Sequence, residues 1–189
     1  AGNGTEKACN TTGTATNDGY AEATFNFGVG SELKTKLEAL GATVMMTRDS
    51  DDTGSWGPCV DVRGGMGNKE NADAKISIHG DGSGASHHGF HIIVSTANDW
   101  REQSTRLAEA ARDALEAEGF ARSNYIGGGT ALSLRADIAT NNLSEMPTIM
   151  AELGNMRNDA DAAVMKSAEG QQRFASALAA ATEAFLTDE

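Results

Sequence analysis

The chain has 189 residues, enough for one domain with a full-sized core. Its 39% hydrophobic content, 22% charged content and two prolines are those of a globular protein. The formal charge of −12 argues against nucleic acid and anionic lipid as partners, and no apolar run approaches the ~20 residues that span a bilayer.

Residues 1–20 are polar and rich in glycine and threonine, and read as a loop or hairpin ahead of a single folded domain over 21–189. From Ala21 to Leu40 the spacing of Phe25, Val29, Leu33, Leu37 and Leu40 predicts an amphipathic helix that Gly41 ends. Residues 42–47 then read as a strand, and 48–52 as a turn. Cys59 to Asn71 reads as a second helix, weakened by Gly64, Gly65 and Gly67. Ala74–Ile78 is a short apolar run that ends on His79 and turns at Gly80-Asp81-Gly82, so a buried strand is predicted there.

Residues 89–95 read as another strand. A helix capped by Asn98 or Asp99 runs to about Glu118, with Leu107, Ala111 and Leu115 on one face. Gly127-Gly128-Gly129 opens an irregular stretch through Asn142; it lacks the lysine and helix start of a phosphate-binding loop. Thr148–Ala151 is a strand ending at Glu152, and Asn158 or Asp159 caps one long terminal helix carrying Phe174, Leu178 and Phe185. Strands alternating with helices predict an α/β fold, a mainly parallel twisted sheet with helices on both faces.

Three residues stand out by position. His79 and Glu152 are placed at the ends of strands, which in a parallel sheet open on one edge, where ligands bind. Glu22 starts the first helix. Each has a plain alternative: a histidine bonding a loop carbonyl, a carboxylate salt-bridged to arginine, and a carboxylate complementing a helix dipole. Together they suggest a zinc site with an open position for water and a carboxylate to carry its proton. Cys9 and Cys59 both lie in loop-like contexts, as a disulfide in an oxidising compartment or as two free thiols; neither belongs to a C-x-x-C zinc motif.

The series Glu22, Thr47-Arg48-x-x-Asp51, Arg63-x-x-x-x-Asn68, Ser77-Ile78-His79-Gly80-Asp81-Gly82, Gly89-Phe90-His91 and Glu152-x-Gly154-x-x-x-Asn158 resembles the zinc-dependent N-acetylmuramoyl-L-alanine amidases of type 3, from about Tyr20 to Phe185. The resemblance implies Zn2+ held by Glu22 and His79, with Glu152 as the catalytic carboxylate. It implies hydrolysis of the amide between N-acetylmuramic acid and L-alanine in peptidoglycan, by a monomer acting outside the cytoplasm. Likeness to secreted actinobacterial members in the cysteine positions and around Tyr125-Ile126-Gly127 further implies a Cys9–Cys59 disulfide. Arg48 and Arg63 match structural positions.

The family pattern also opens with a strand and an Asp-Pro-Gly-His motif, whose histidine is a further zinc ligand. All four histidines here lie between positions 79 and 91. Either residues preceding Ala1 supply that ligand or another group replaces it, and the chain alone is expected to hold zinc weakly. His91 reads as structural, and His87 and His88 as solvent-exposed loop residues. A catalytically impaired peptidoglycan-binding module and another zinc amidohydrolase, such as a carboxypeptidase, are the alternative functions.

Overall fold

A computed structural model describes residues 1–52 and 54–187. The first helix forms as its periodicity dictates: α1 (Glu22–Ala39) buries Phe25, Val29 and Leu33 along one stripe. Gly41, at φ 93°, closes it, with the Gly41 N–H on the Glu38 carbonyl and the Ala42 N–H on the Leu37 carbonyl. Ahead of α1, Ala15 and Ala21 bridge across a tight turn, a hairpin-like bend.

Four strands form one sheet in the order β1-β4-β2-β3: β1 (Lys75–Asp81), β2 (His91–Ser95), β3 (Leu132–Arg135) and β4 (Thr148–Asn155). The β1–β4 and β2–β3 pairs are parallel and β2–β4 is antiparallel, so the sheet is mixed with parallel pairing predominant. Side chains alternate across it. One face presents Ile76, Ile78, Ile149, Ala151, Ile92 and Val94 to the main core, where α1 packs on β1, α3 (Arg101–Ala117) packs on β2, and α6 (Ala168–Thr187) lies against both helices. Phe174 of α6 stacks on Phe120 and meets the edge of Phe25. The opposite face carries His79, Glu152 and His91, bordered by a small apolar cluster of Ile93, Ile138 and Met150 beside the short helix α4 (Ala139–Asn142). None of the described helices is long and apolar enough to cross a membrane.

Several predicted boundaries move. Residues 42–47 join no ladder, because no described strand lies alongside to take up their backbone groups, and β1 stands at an edge of the sheet. The second helix shrinks to α2 (Val60–Gly65): its glycines do not sustain a further turn. The stretch after Gly129 is not irregular, since it holds β3 and α4. The long terminal helix is two helices, α5 (Asp159–Lys166) and α6, broken at Ser167, whose extended backbone lets its hydroxyl accept from the Gly170 N–H. Cys9 and Cys59 form a disulfide that ties the N-terminal segment to the start of α2.

Candidate active site

Neither His79 nor Glu152 ends its strand. β1 runs on to Asp81 and β4 to Asn155, and the two residues converge because they are direct register partners. Glu152 is in turn paired with His91 on β2, so His79, Glu152 and His91 form a row across three strands on one face. Just beyond the row, one residue of β1 (Gly80) opposes two of β4 (Leu153 and Gly154), a bulge of the kind that re-aims side chains at functional sites.

Glu22 reaches the row from the first turn of α1. Its Oε1 lies 2.8 Å from His79 Nδ1 and accepts from the Asn26 amide at 3.2 Å, while its Oε2 accepts from the Thr14 N–H at 3.0 Å. Gly13 is required beside it, because a Cβ there would stand 2.5 Å from Glu22 Oε2. Burial pushes the Glu22 carboxyl upward, but the hydrogen bond and charge of His79, with the Thr14 and Asn26 donors, hold it below its ordinary value. Burial pushes His79 down, and bonding to Glu22 together with the charges of Glu152 and Glu22 more than restores it. The other ring nitrogen of His79, Nε2, lies 3.1 Å from Ser77 Oγ.

Glu152 has a different environment. Its Oε2 is sealed from solvent and has no hydrogen-bond partner among the described residues. Burial, with the negative charges of Asp81 and Glu22, outweighs the opposing pull of His79 and Arg135 and pushes the carboxyl up to about 7. A carboxyl with that value exchanges a proton near neutrality, as a general base requires.

Asp81, Tyr125 and His87 stand beside this row and carry no role in the sequence reading. The Tyr125 hydroxyl donates to Asp81 Oδ2 at 2.7 Å, and its ring stacks on His87 and meets His91 edge-on. His87, expected in solvent, is half-buried with Nδ1 2.7 Å from Ser83 Oγ, and His88 is half-buried too. Asn155 holds their loop: its amide donates to the Gly84 and His87 carbonyls, and its oxygen accepts from the Ser83 N–H. His91, read from the sequence as structural, is 4% exposed and pushed down to about 4 by burial, and its Nδ1 has no hydrogen-bond partner among the described residues. Arg48 pairs with Asp51, and Arg63 bonds the Pro58 carbonyl and Asn10, so both are bracing groups. In the triple glycine, the Gly129 carbonyl accepts from Arg122 and the Gly127 carbonyl from the Thr130 hydroxyl.

A buried carboxylate–imidazole pair thus lies beside a carboxyl whose Oε2 has no partner among the described residues, on one face of an α/β sheet. The sequence matches the N-acetylmuramoyl-L-alanine amidase family (Amidase 3) over residues 2–184, and the chain belongs to that family. It is 43% identical over 188 residues to an N-acetylmuramoyl-L-alanine amidase of Mycobacterium tuberculosis, covering 98% of this chain and 77% of the relative. Solved structures agree. The N-acetylmuramyl-L-alanine amidase of Mycobacterium smegmatis superposes with a TM-score of 0.95 at 39% identity, covering 100% of this chain and 87% of that one. The apo form of the amidase of Mycobacterium abscessus gives 0.94 at 40% identity, covering 98% and 88%.

Zinc dependence is typical of this family. The donor chemistry here fits zinc in kind: a carboxylate oxygen of Glu22 and an imidazole nitrogen of His79 lie 2.8 Å apart. In number it supplies two protein donors, since the described residues contain no group of three or more histidine, cysteine, aspartate or glutamate side chains arranged to hold a metal.

Proposed function

We propose that this chain hydrolyses the amide bond between N-acetylmuramic acid and L-alanine of peptidoglycan, acting outside the cytoplasm, with Glu22 and His79 as two ligands of Zn2+ and Glu152 as the catalytic carboxylate. The supporting observation is the contrast between neighbouring groups on one sheet face. Glu22 and His79 are hydrogen-bonded to each other, whereas Glu152 is sealed, has no partner for its Oε2 among the described residues, and has its carboxyl pushed up to about 7. Residues 21–189 form the catalytic domain in this reading, with 1–20 wrapped against it and contributing the Thr14 N–H to Glu22.

When bound, zinc polarises a carbonyl and lowers the pKa of coordinated water. The protein's own contribution is positional and protonic. The β1–β4 register fixes Glu152 opposite His79, and the Asn26 and Thr14 donors orient Glu22. Glu152 accepts the proton of the attacking water and delivers it to the leaving amine of L-alanine, a transfer suited to a carboxyl near pH 7. The oxidising compartment accords with the Cys9–Cys59 bond.

The test is incubation with muropeptide and zinc, followed by detection of a new L-alanine amino terminus. Glu152→Gln should lower turnover by at least ~100-fold while leaving zinc binding intact. Release of a residue from the carboxyl end of the peptide would instead identify a carboxypeptidase, and binding without cleavage a peptidoglycan-binding module.

A further inference from the structure

Asn26 stands one turn beyond Glu22 on the same side of α1. Its Nδ2 donates to Glu22 Oε1 at 3.2 Å, the same oxygen that faces His79 Nδ1 at 2.8 Å. Its other end is anomalous: Oδ1 is buried and has no partner among the described residues. An orphaned buried acceptor is costly, and native proteins keep few of them. Turning the amide over would not cure this, because it would set a carbonyl oxygen against a carboxylate. The donor end is therefore committed to Glu22 at the expense of the acceptor end.

Packing gives no counter-reason for an amide here. Asn26 is only half-buried on a helix whose buried stripe is Phe25, Val29 and Leu33, so leucine or serine would serve α1 as well. The amide makes sense as a brace on a carboxylate that must present one fixed oxygen. Outer partners of metal ligands act in this way, and their removal typically weakens metal affinity 10- to 100-fold.

We infer that Asn26 is a positioning residue for the metal site: it fixes the Glu22 carboxylate in the orientation that, with His79, receives zinc. The inference rests on the assignment of Glu22 and His79 as zinc ligands. With Oε2 tied to the Thr14 N–H and Oε1 steered by Asn26, the carboxylate has little rotational freedom left. Without Asn26, Glu22 keeps the Thr14 and His79 contacts but loses the donor that steers Oε1 from its own helix.

The experiment measures zinc affinity of the full chain by chelator competition, using zinc alone as the probe. Wild type, Glu22→Gln, Asn26→Leu and Asn26→Ser are compared, with thermal melting of each protein free of metal. Asn26→Leu and Asn26→Ser should each bind zinc 10- to 100-fold more weakly than wild type, with metal-free melting temperatures close to wild type. A zinc affinity within twofold of wild type in either folded variant overturns the inference, provided that Glu22→Gln is weakened. A loss of affinity matched by an equal loss of metal-free stability assigns Asn26 a merely structural role, and also overturns it. If wild type does not bind zinc, or Glu22→Gln binds as wild type does, the ligand assignment itself fails, and the role of Asn26 falls with it.

Discussion

His91 and Glu152 face each other across β2 and β4 and are displaced from their ordinary proton affinities in opposite directions, His91 from 6.5 to about 4 and Glu152 from 4.5 to about 7. The consequences for stability oppose each other. Between pH 4.5 and 6.5 the unfolded chain holds more protons on His91 than the native protein does, so this residue makes stability rise with pH. Over the same interval the native protein holds more protons on Glu152, so that residue makes stability fall with pH. Integrating each over the window gives about 2 kcal/mol in either direction, and the wild-type profile should be nearly flat. Glu22 and His79 do not confuse the reading. Glu22 is lowered, so its contribution is lost below about pH 4.5, and His79 is raised, so its contribution is lost only above about pH 6.5. Denaturant or thermal unfolding of metal-free protein across pH 4.5–6.5 provides the assay. Glu152→Gln should become more stable by about 2 kcal/mol as pH rises, a shift of about 4–8 °C in melting temperature for a chain of this size. His91→Asn should lose about as much over the same interval. Parallel profiles for wild type and both variants would refute the reasoning.

Reduction of the Cys9–Cys59 bond, or the Cys9→Ser and Cys59→Ser double variant, should cost up to about 4 kcal/mol for a link spanning 50 residues, measured as a drop in the denaturant midpoint. Gly89→Ala should destabilise by at least about 2 kcal/mol, because Gly89 sits at φ 89° and a Cβ would lie 2.4 Å from the Arg122 carbonyl oxygen; near-native melting would contradict this. Asn155→Ala should cost about 2–4 kcal/mol and release the 83–88 loop, visible as faster amide exchange there, since the fully buried side chain bonds the Gly84 and His87 carbonyls and the Ser83 N–H.

Helix α1 was legible because periodicity and a terminal glycine both act locally. The apolar runs of β1 and β4 were legible for the same reason, and the structure brings Glu22, His79 and Glu152, singled out by their positions, to one face of the sheet. What was not legible is relational. That Glu152 lies mid-strand opposite His79, and that β2 runs antiparallel to β4, depends on pairing between segments more than 50 positions apart. β3 did carry a signal: Leu132-Ser133-Leu134-Arg135 alternates apolar and polar residues, which the neighbouring glycines obscured. The Tyr125–Asp81 bond and the stacking of His87 had no sequence signature, because a loop brings them together from three places. Residues 42–47 show the reverse failure. A β-prone composition is only an offer of backbone groups, and no described strand takes it up.

The row His79, Glu152 and His91 has a consequence for how this protein can change. Each of these residues is flanked in sequence by core residues on the other face: Ile78 before His79, Ala151 and Leu153 around Glu152, Phe90 and Ile92 around His91. A substitution that shifts one of those flanking residues drags the neighbouring polar side chain with it. The sheet face is therefore closed to gradual tinkering. The exposed border at residues 128–130 has more room for change, since no core residue lies there.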